Sequence, residues 1–195
     1  MRTIAIEEHF LAKGVKEVMQ RDAPSQQGGS NVAFAAEQQA KLSDLGSTRL
    51  KDMDAGGIDL QVISHTVSGV VLLPGSEGVR VAREANDQLA AAVAAHPDRF
   101  AGFATLPMTD PEAAADELER AVRSLGLKGA MINGTTNGRF LDDRSFLPIL
   151  ERAVALRVPI YVHPGVPPAA VRPPSWRCAA GSNGFVLVAA TVRPI

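Results

Sequence analysis

Apolar positions along this chain fall into short, nearly unbroken runs separated by stretches with helical spacing. Residues 3–6 are an apolar run rich in β-branched types, closed at once by Glu7, Glu8 and His9. Ile58, Leu60, Val62 and Ile63 make a second run, residues 100–106 a third and residues 129–132 a fourth; a fifth, at 159–162, ends in His163-Pro164-Gly165. Between the runs the spacing changes to that of a helix. Leu50 and Met53 lie between Ser47, read as an N-cap, and the Gly56-Gly57 stop. Val79, Ala82, Leu89 and Val93 predict a helix over 78–95. Asp110-Pro111-Glu112 is a helix start, with an N-cap, a proline in the first turn and an acid beside it. The face it begins carries Leu118, Ala121, Val122 and Leu125 and stops at Gly126, while Phe146, Ile149, Leu150 and Ala153 form another such face. Residues 14–36, with Pro24, Ser25, Gln26, Gln27, Gly28, Gly29 and Ser30 clustered among them, read as a long mobile loop.

Strand and helix alternating every roughly thirty to forty residues is the pattern of βαβ units and a parallel sheet. Strands that are apolar throughout, rather than alternating, belong to a sheet covered on both faces. An open doubly wound sheet and a (β/α)₈ barrel both meet these conditions. The chain has no G-x-G-x-x-G after its first strand and no G-x-x-x-x-G-K-[ST], which removes the nucleotide-binding versions. The polar residues at the strand ends favour an α/β fold of the (β/α)₈ TIM-barrel type, here cut off after about strand five, because barrel sites gather at the C-terminal ends of the strands.

Composition narrows the function classes. The chain has 195 residues, 46% of them hydrophobic, and a mean hydropathy of +0.03, as expected of one soluble domain. Lys plus Arg number 20 and Asp plus Glu 21, for a net charge of -1. That balance gives no footing for nucleic acid or an anionic membrane surface. A single cysteine, Cys178, forms no intrachain disulfide and suits a reducing compartment. No apolar run is long enough for a signal-peptide core or a bilayer span, so the cytoplasm is the expected location.

Glu7 and His9 stand two apart at the end of the first strand, so their side chains share a face and aim into the barrel mouth. His163 ends the fifth strand at the same rim. One carboxylate and two imidazoles suit a first-row divalent cation such as zinc or manganese, and leave positions for water or substrate. From spacing alone a second reading stands beside this one, in which Glu7 is a solvated strand end and His163 a satisfied core histidine. His65 follows the second strand and reaches toward the mouth, where it is either a substrate contact or a solvated loop histidine. Phe10 either lines an aromatic pocket or packs. Asn133, in the loop after strand four, either touches substrate or serves the turn. His96 ends a helix, where it either complements the dipole or is solvated. Cys178 receives no role.

The motif order resembles a known family. Ile4-Ala5-Ile6-Glu7-Glu8-His9-Phe10, Arg49-Leu50-Lys51-Asp52-Met53-Asp54-Ala55-Gly56-Gly57-Ile58 and Ala85-Asn86-Asp87 are similar to the amidohydrolase-related family. So are His96-Pro97-Asp98-Arg99-Phe100-Ala101-Gly102-Phe103, Leu106-Pro107, Gly129-Ala130-Met131-Ile132-Asn133-Gly134 and Pro159-Ile160-Tyr161-Val162-His163-Pro164. The likeness is to the branch of aminocarboxymuconate-semialdehyde decarboxylase and the dihydroxybenzoate and resorcylate decarboxylases, and runs from the N-terminus to about residue 172. It implies a divalent metal (zinc or manganese, with magnesium a further choice) held by Glu7, His9 and His163. The substrate it implies is a small aromatic carboxylate, which the residues read above as candidate contacts, Phe10, His65 and Asn133, would then meet.

Members of the family continue with strands six to eight, a catalytic histidine and a late aspartate. Here no histidine or aspartate follows His163, and residues 173–195 form a divergent tail. The catalytic acid and base therefore have no counterpart in the sequence. The expected function is metal-dependent, non-oxidative decarboxylation of a hydroxyaromatic or related unsaturated acid. Hydrolysis of an ester, lactone or amide by a metal-activated water is the alternative, and an inactive half-barrel acting only by association is a third. Without the acid–base group, turnover by this chain alone is expected to fall about a hundredfold to ten-thousandfold. Open strand edges predict a homo-oligomer.

Overall fold

The computed structural model describes residues 2–22, 31–66 and 73–163. Pro164, Gly165, Cys178 and the tail at 173–195 lie outside the described residues. The elements follow in order: β1 (Ile4–Phe10), α1 (Lys13–Asp22), α2 (Asn31–Ser43), α3 (Ser47–Ala55), β2 (Leu60–His65), α4 (Gly75–Ala95), β3 (Phe100–Gly102), α5 (Pro111–Arg123), β4 (Ala130–Asn133), a 3-10 turn (Arg144–Phe146), α6 (Leu147–Leu156) and β5 (Ile160–His163). Strands β1, β2 and β3 pair in parallel, and so do β4 and β5. A parallel bridge between Ala104 and Ala130, with Ala104 N–H donating to Gly129 O at 2.8 Å, joins the two groups. The result is a five-strand arc of a (β/α)₈-type barrel with its helices on the outside.

The core fills the layer between arc and helices. Phe10, Ile63, Phe100 and Leu106 come from the strands and their ends; Met53, Val81, Leu89, Leu118 and Ile149 come from the helices, all fully buried. Burying each such side chain contributes about 1.5–3 kcal/mol. Gly129 lets β4 approach β5: its φ is +150°, and a Cβ there would sit 2.3 Å from Pro159 O. The arc's inner face is less covered. Ile4 and Ile6 are 51% and 48% exposed, since the described residues place nothing opposite them.

Several elements differ from the sequence expectation. The stretch read as a mobile loop over 14–36 is largely helical, with α1 and α2 on either side of residues 23–30, which lie outside the described residues. Val15 and Val18 are buried at helical spacing and dock α1 on the core; the run of Pro, Gly, Ser and Gln that dominated the reading lies beyond it. Ser47 is the first helical residue of α3 and Gly46 its N-cap, with no side-chain cap bond from that position. Asp44 does the capping instead, accepting from Gly46 N–H at 2.7 Å and Arg49 N–H at 3.2 Å. The expected cap of α5 holds: Asp110 Oδ1 accepts from Ala113 N–H at 3.1 Å. The third strand is only three residues long.

Candidate metal centre

A register shift in β1 aims the first carboxylate. Ile4 and Ala5 pair with Leu60 and Gln61, whereas Glu8 and His9 pair with Ile63 and Ser64, so β1 carries one extra residue between Ala5 and Glu8. Such a bulge changes the phase of alternation. Ile4 and Ile6 face the inside of the arc, and without the extra residue Glu7 would face the helices. With it, Glu7 and His9 both face inward, while Glu8 and Phe10 turn toward the helix layer. Arg49 locks this geometry from behind, donating to His9 O at 2.7 Å, Gln61 Oε1 at 3.2 Å and Asp44 O at 2.8 Å.

His163 arrives from β5, across the arc. Glu7, His9 and His163 each offer one ligand atom, and these atoms all lie within 4.8 Å of one another. The His9 and His163 rings meet edge-on with centroids 5.2 Å apart. His163 Nε2 is 3.2 Å from Glu7 Oε1, yet that oxygen is buried and accepts no hydrogen bond among the described residues. A buried acceptor left this way costs about 1–3 kcal/mol. One carboxylate oxygen and two imidazole edges converging on a single point is an arrangement that a cation among them would satisfy. The donor set fits a divalent first-row ion. Burial, and then the neighbouring His163, hold His9 below the ordinary histidine range, which keeps it in the neutral form a metal requires.

Asn133 ends β4 and pairs in register with His163. It is only 7% exposed, and its Oδ1 is buried without a hydrogen-bond partner among the described residues. Tyr161 stands two residues before His163 on β5, hence on the same face. Its hydroxyl is likewise buried, near the Glu7 carboxylate and with no hydrogen bond of good geometry among the described residues, and its ring stacks on Phe103 at 6.1 Å. Burial, followed by the nearby Glu7 carboxylate, raises its pKa, so the phenol keeps its proton. Sequence reasoning passed over Tyr161, although the two-residue rule that paired Glu7 with His9 also pairs Tyr161 with His163. It passed over Ser64 too, whose place beside His9 depends on the register of β2 against β1.

Phe10 takes the packing alternative, whereas His65 sits elsewhere than expected. His65 is the last residue of β2 and is 2% exposed, not a solvated loop residue. Its Nε2 accepts from Ala12 N–H at 3.2 Å, and its Nδ1 lies 2.7 Å from Thr66 O, to which it donates. Phe10, 1% exposed, meets the His65 ring edge-on at 5.2 Å. Both brace the rim from the core side. His96 is the C-cap of α4 and packs edge-on against Phe100, clear of the site.

Burial lowers His65 to about 4 from 6.5. The unfolded chain therefore takes up this proton first, and the stability that neutral His65 gives above pH 6.5 is lost as pH falls toward 4. The expected slope reaches about 1.4 kcal/mol per pH unit. Urea unfolding at steps from pH 7.5 to 4.5 should show it, and His65→Gln should flatten it in part, since His9 titrates in the same direction. A slope unchanged by the substitution would remove His65 from this role.

A parallel arc with a carboxylate and two imidazoles at its C-terminal rim defines a barrel of the metal-dependent kind. The chain belongs to the amidohydrolase family, whose model matches residues 32–190. It is 38% identical over 172 residues to the decarboxylase orsB of Emericella nidulans, covering 85% of this chain and 48% of that protein. It is also 38% identical to a gamma-resorcylate decarboxylase of a Rhizobium species, over 84% of this chain and 50% of that one. Among solved structures, the 5-carboxyvanillate decarboxylase of Novosphingobium aromaticivorans, complexed with manganese and 4-hydroxy-3-methoxy-5-nitrobenzoic acid, superposes with a TM-score of 0.78 at 38% identity. That match covers 87% of this chain and 52% of the other. The chain thus spans about half the length of the relatives it matches. Among the described residues, no helix is long and apolar enough to cross a membrane.

Proposed function

We propose that this chain is the metal-binding half of a non-oxidative decarboxylase acting on a hydroxyaromatic carboxylic acid. The observation that carries the reading is the convergence of Glu7, His9 and His163 within 4.8 Å at the rim of the arc. These three would hold a zinc or manganese ion. When bound, the ion supplies Lewis-acid stabilisation of the negative charge that develops as carbon dioxide leaves.

The chain's own residues shape the rest. Asn133, beside His163 and with an oxygen that meets no donor among the described residues, accepts a hydrogen bond from a ring hydroxyl. Tyr161 stacked on Phe103 gives the site an apolar floor on which a ring can rest. Phe10 and His65 act from behind, holding the ends of β1 and β2 in place. Charge balance, a lone cysteine and the exposed Ile4 and Ile6 support a cytoplasmic homo-oligomer whose partner is a small aromatic carboxylate rather than nucleic acid or membrane.

Titration of the manganese-loaded chain with an ortho-hydroxybenzoate tests the reading. Binding should require the metal, and Asn133→Ala should weaken it about tenfold to a hundredfold by removing one polar contact. Equal binding with and without metal would contradict the proposal. Incorporation of solvent oxygen into product, without release of carbon dioxide, would favour hydrolysis.

A further inference from the structure

We propose that Ser64 is a positioning residue whose hydroxyl turns the His9 imidazole so that Nε2, and only Nε2, faces the metal. The inference rests on the metal centre proposed above. Ser64 is the residue of β2 paired with His9, and it is 1% exposed, so no solvent reaches it to take its place. Its Oγ lies 3.1 Å from His9 Nδ1 and 3.4 Å from the carbonyl oxygen of Glu8.

A hydroxyl has one hydrogen to give and lone pairs to accept with. The Glu8 carbonyl only accepts, so it takes the hydroxyl hydrogen. What Ser64 presents to His9 is then a lone pair, which Nδ1–H satisfies. With the ring proton on Nδ1, Nε2 is bare and is the only nitrogen that can bind a cation. The reverse arrangement, with Ser64 donating to a bare Nδ1, would leave the Glu8 carbonyl without this donor and put the proton on Nε2, which blocks the ligand. Metal-bound histidines are held in this manner by an acceptor on their second nitrogen, and losing that acceptor weakens the metal about tenfold to a hundredfold. In this chain the acceptor is a serine oxygen oriented by the backbone of the strand that carries the ligand.

Two readouts test it. In the metal-free chain labelled with nitrogen-15 at histidine, NMR at pH 8 should report the Nδ1–H tautomer for His9, and Ser64→Ala should shift His9 toward Nε2–H while leaving His65 unchanged. Competition against a chromophoric chelator should show zinc affinity lower by about tenfold to a hundredfold in Ser64→Ala, with Ser64→Thr, which keeps the hydroxyl, close to the parent. An Nε2–H tautomer at His9 in the parent chain would overturn the proposal without reference to any variant. Unchanged zinc affinity in Ser64→Ala, with normal uptake by the parent, would overturn the positioning role and leave the metal centre standing. No uptake by the parent would overturn the metal centre and the positioning role together.

Discussion

Replacing His163 by alanine should lower the affinity of this chain for zinc or manganese about a hundredfold, and replacing His9 should do the same. A structural zinc site of four ligands is worth about 10–16 kcal/mol in total, so one ligand carries about 3 kcal/mol, or two orders of magnitude. The described residues supply three ligands, which leaves the site little reserve against losing one. Glu7→Gln should also weaken binding, because a carboxamide oxygen brings no charge to the ion. Metal content after exhaustive dialysis, followed by chelator competition, reads all three variants. Equal content in the parent and the variants would remove these residues from the site. The loss should exceed that of Ser64→Ala, since one change deletes a ligand and the other only releases its orientation.

The second large effect is on stability and lies away from the rim. Glu117, on α5, is 1% exposed, yet it is an acid. It accepts from Arg120 at 2.7 and 2.8 Å, from Arg83 at 3.2 Å and from Asn86 Nδ2 at 2.7 Å. Asn86 in turn grips Thr105 through both its backbone groups, at 3.0 and 2.9 Å, and so holds the chain just after β3. Removing the buried member of an ionic network costs about 3–5 kcal/mol; here Asn86 would be left in the core short of one acceptor, while Arg120 would keep its bond to Asp87. Glu117→Ala should accordingly lose about 4 kcal/mol, seen as a lower urea midpoint at unchanged slope. Arg83→Ala should cost less than about 1 kcal/mol, since that side chain is half exposed and its charge is already solvated. Similar losses from both would mean that the network is no more than a surface pair.

The rim of the barrel was legible in the sequence because its polar residues interrupt apolar runs at their ends. Glu7, His9 and His163 stand out against strands that are otherwise uniformly apolar, and Asp110-Pro111 announces α5 by local chemistry alone. The bulge in β1 was not legible. It exists only in the pairing of β1 with β2, and pairing register is a property of two distant segments. For the same reason Ser64 could not be connected with His9. His65 was misplaced because a histidine after an apolar run reads as exposed, whereas here two backbone groups, from Ala12 and Thr66, satisfy both its nitrogens inside the core. The helices on either side of residues 23–30 were hidden by composition: Pro, Gly, Ser and Gln outweighed the spacing of Val15 and Val18. The Asn86–Glu117 network was invisible as well, because a buried acid differs from a surface acid only in what folds over it.

X-ray absorption of the zinc-loaded chain tests the central claim most directly. Two imidazoles and a carboxylate on one ion predict outer-shell scattering from two histidine rings, with a first shell of nitrogen and oxygen at about 2.0–2.2 Å. His163→Ala should reduce the signal to one ring. A spectrum without imidazole scattering, or one that stays the same in His163→Ala, would contradict the account.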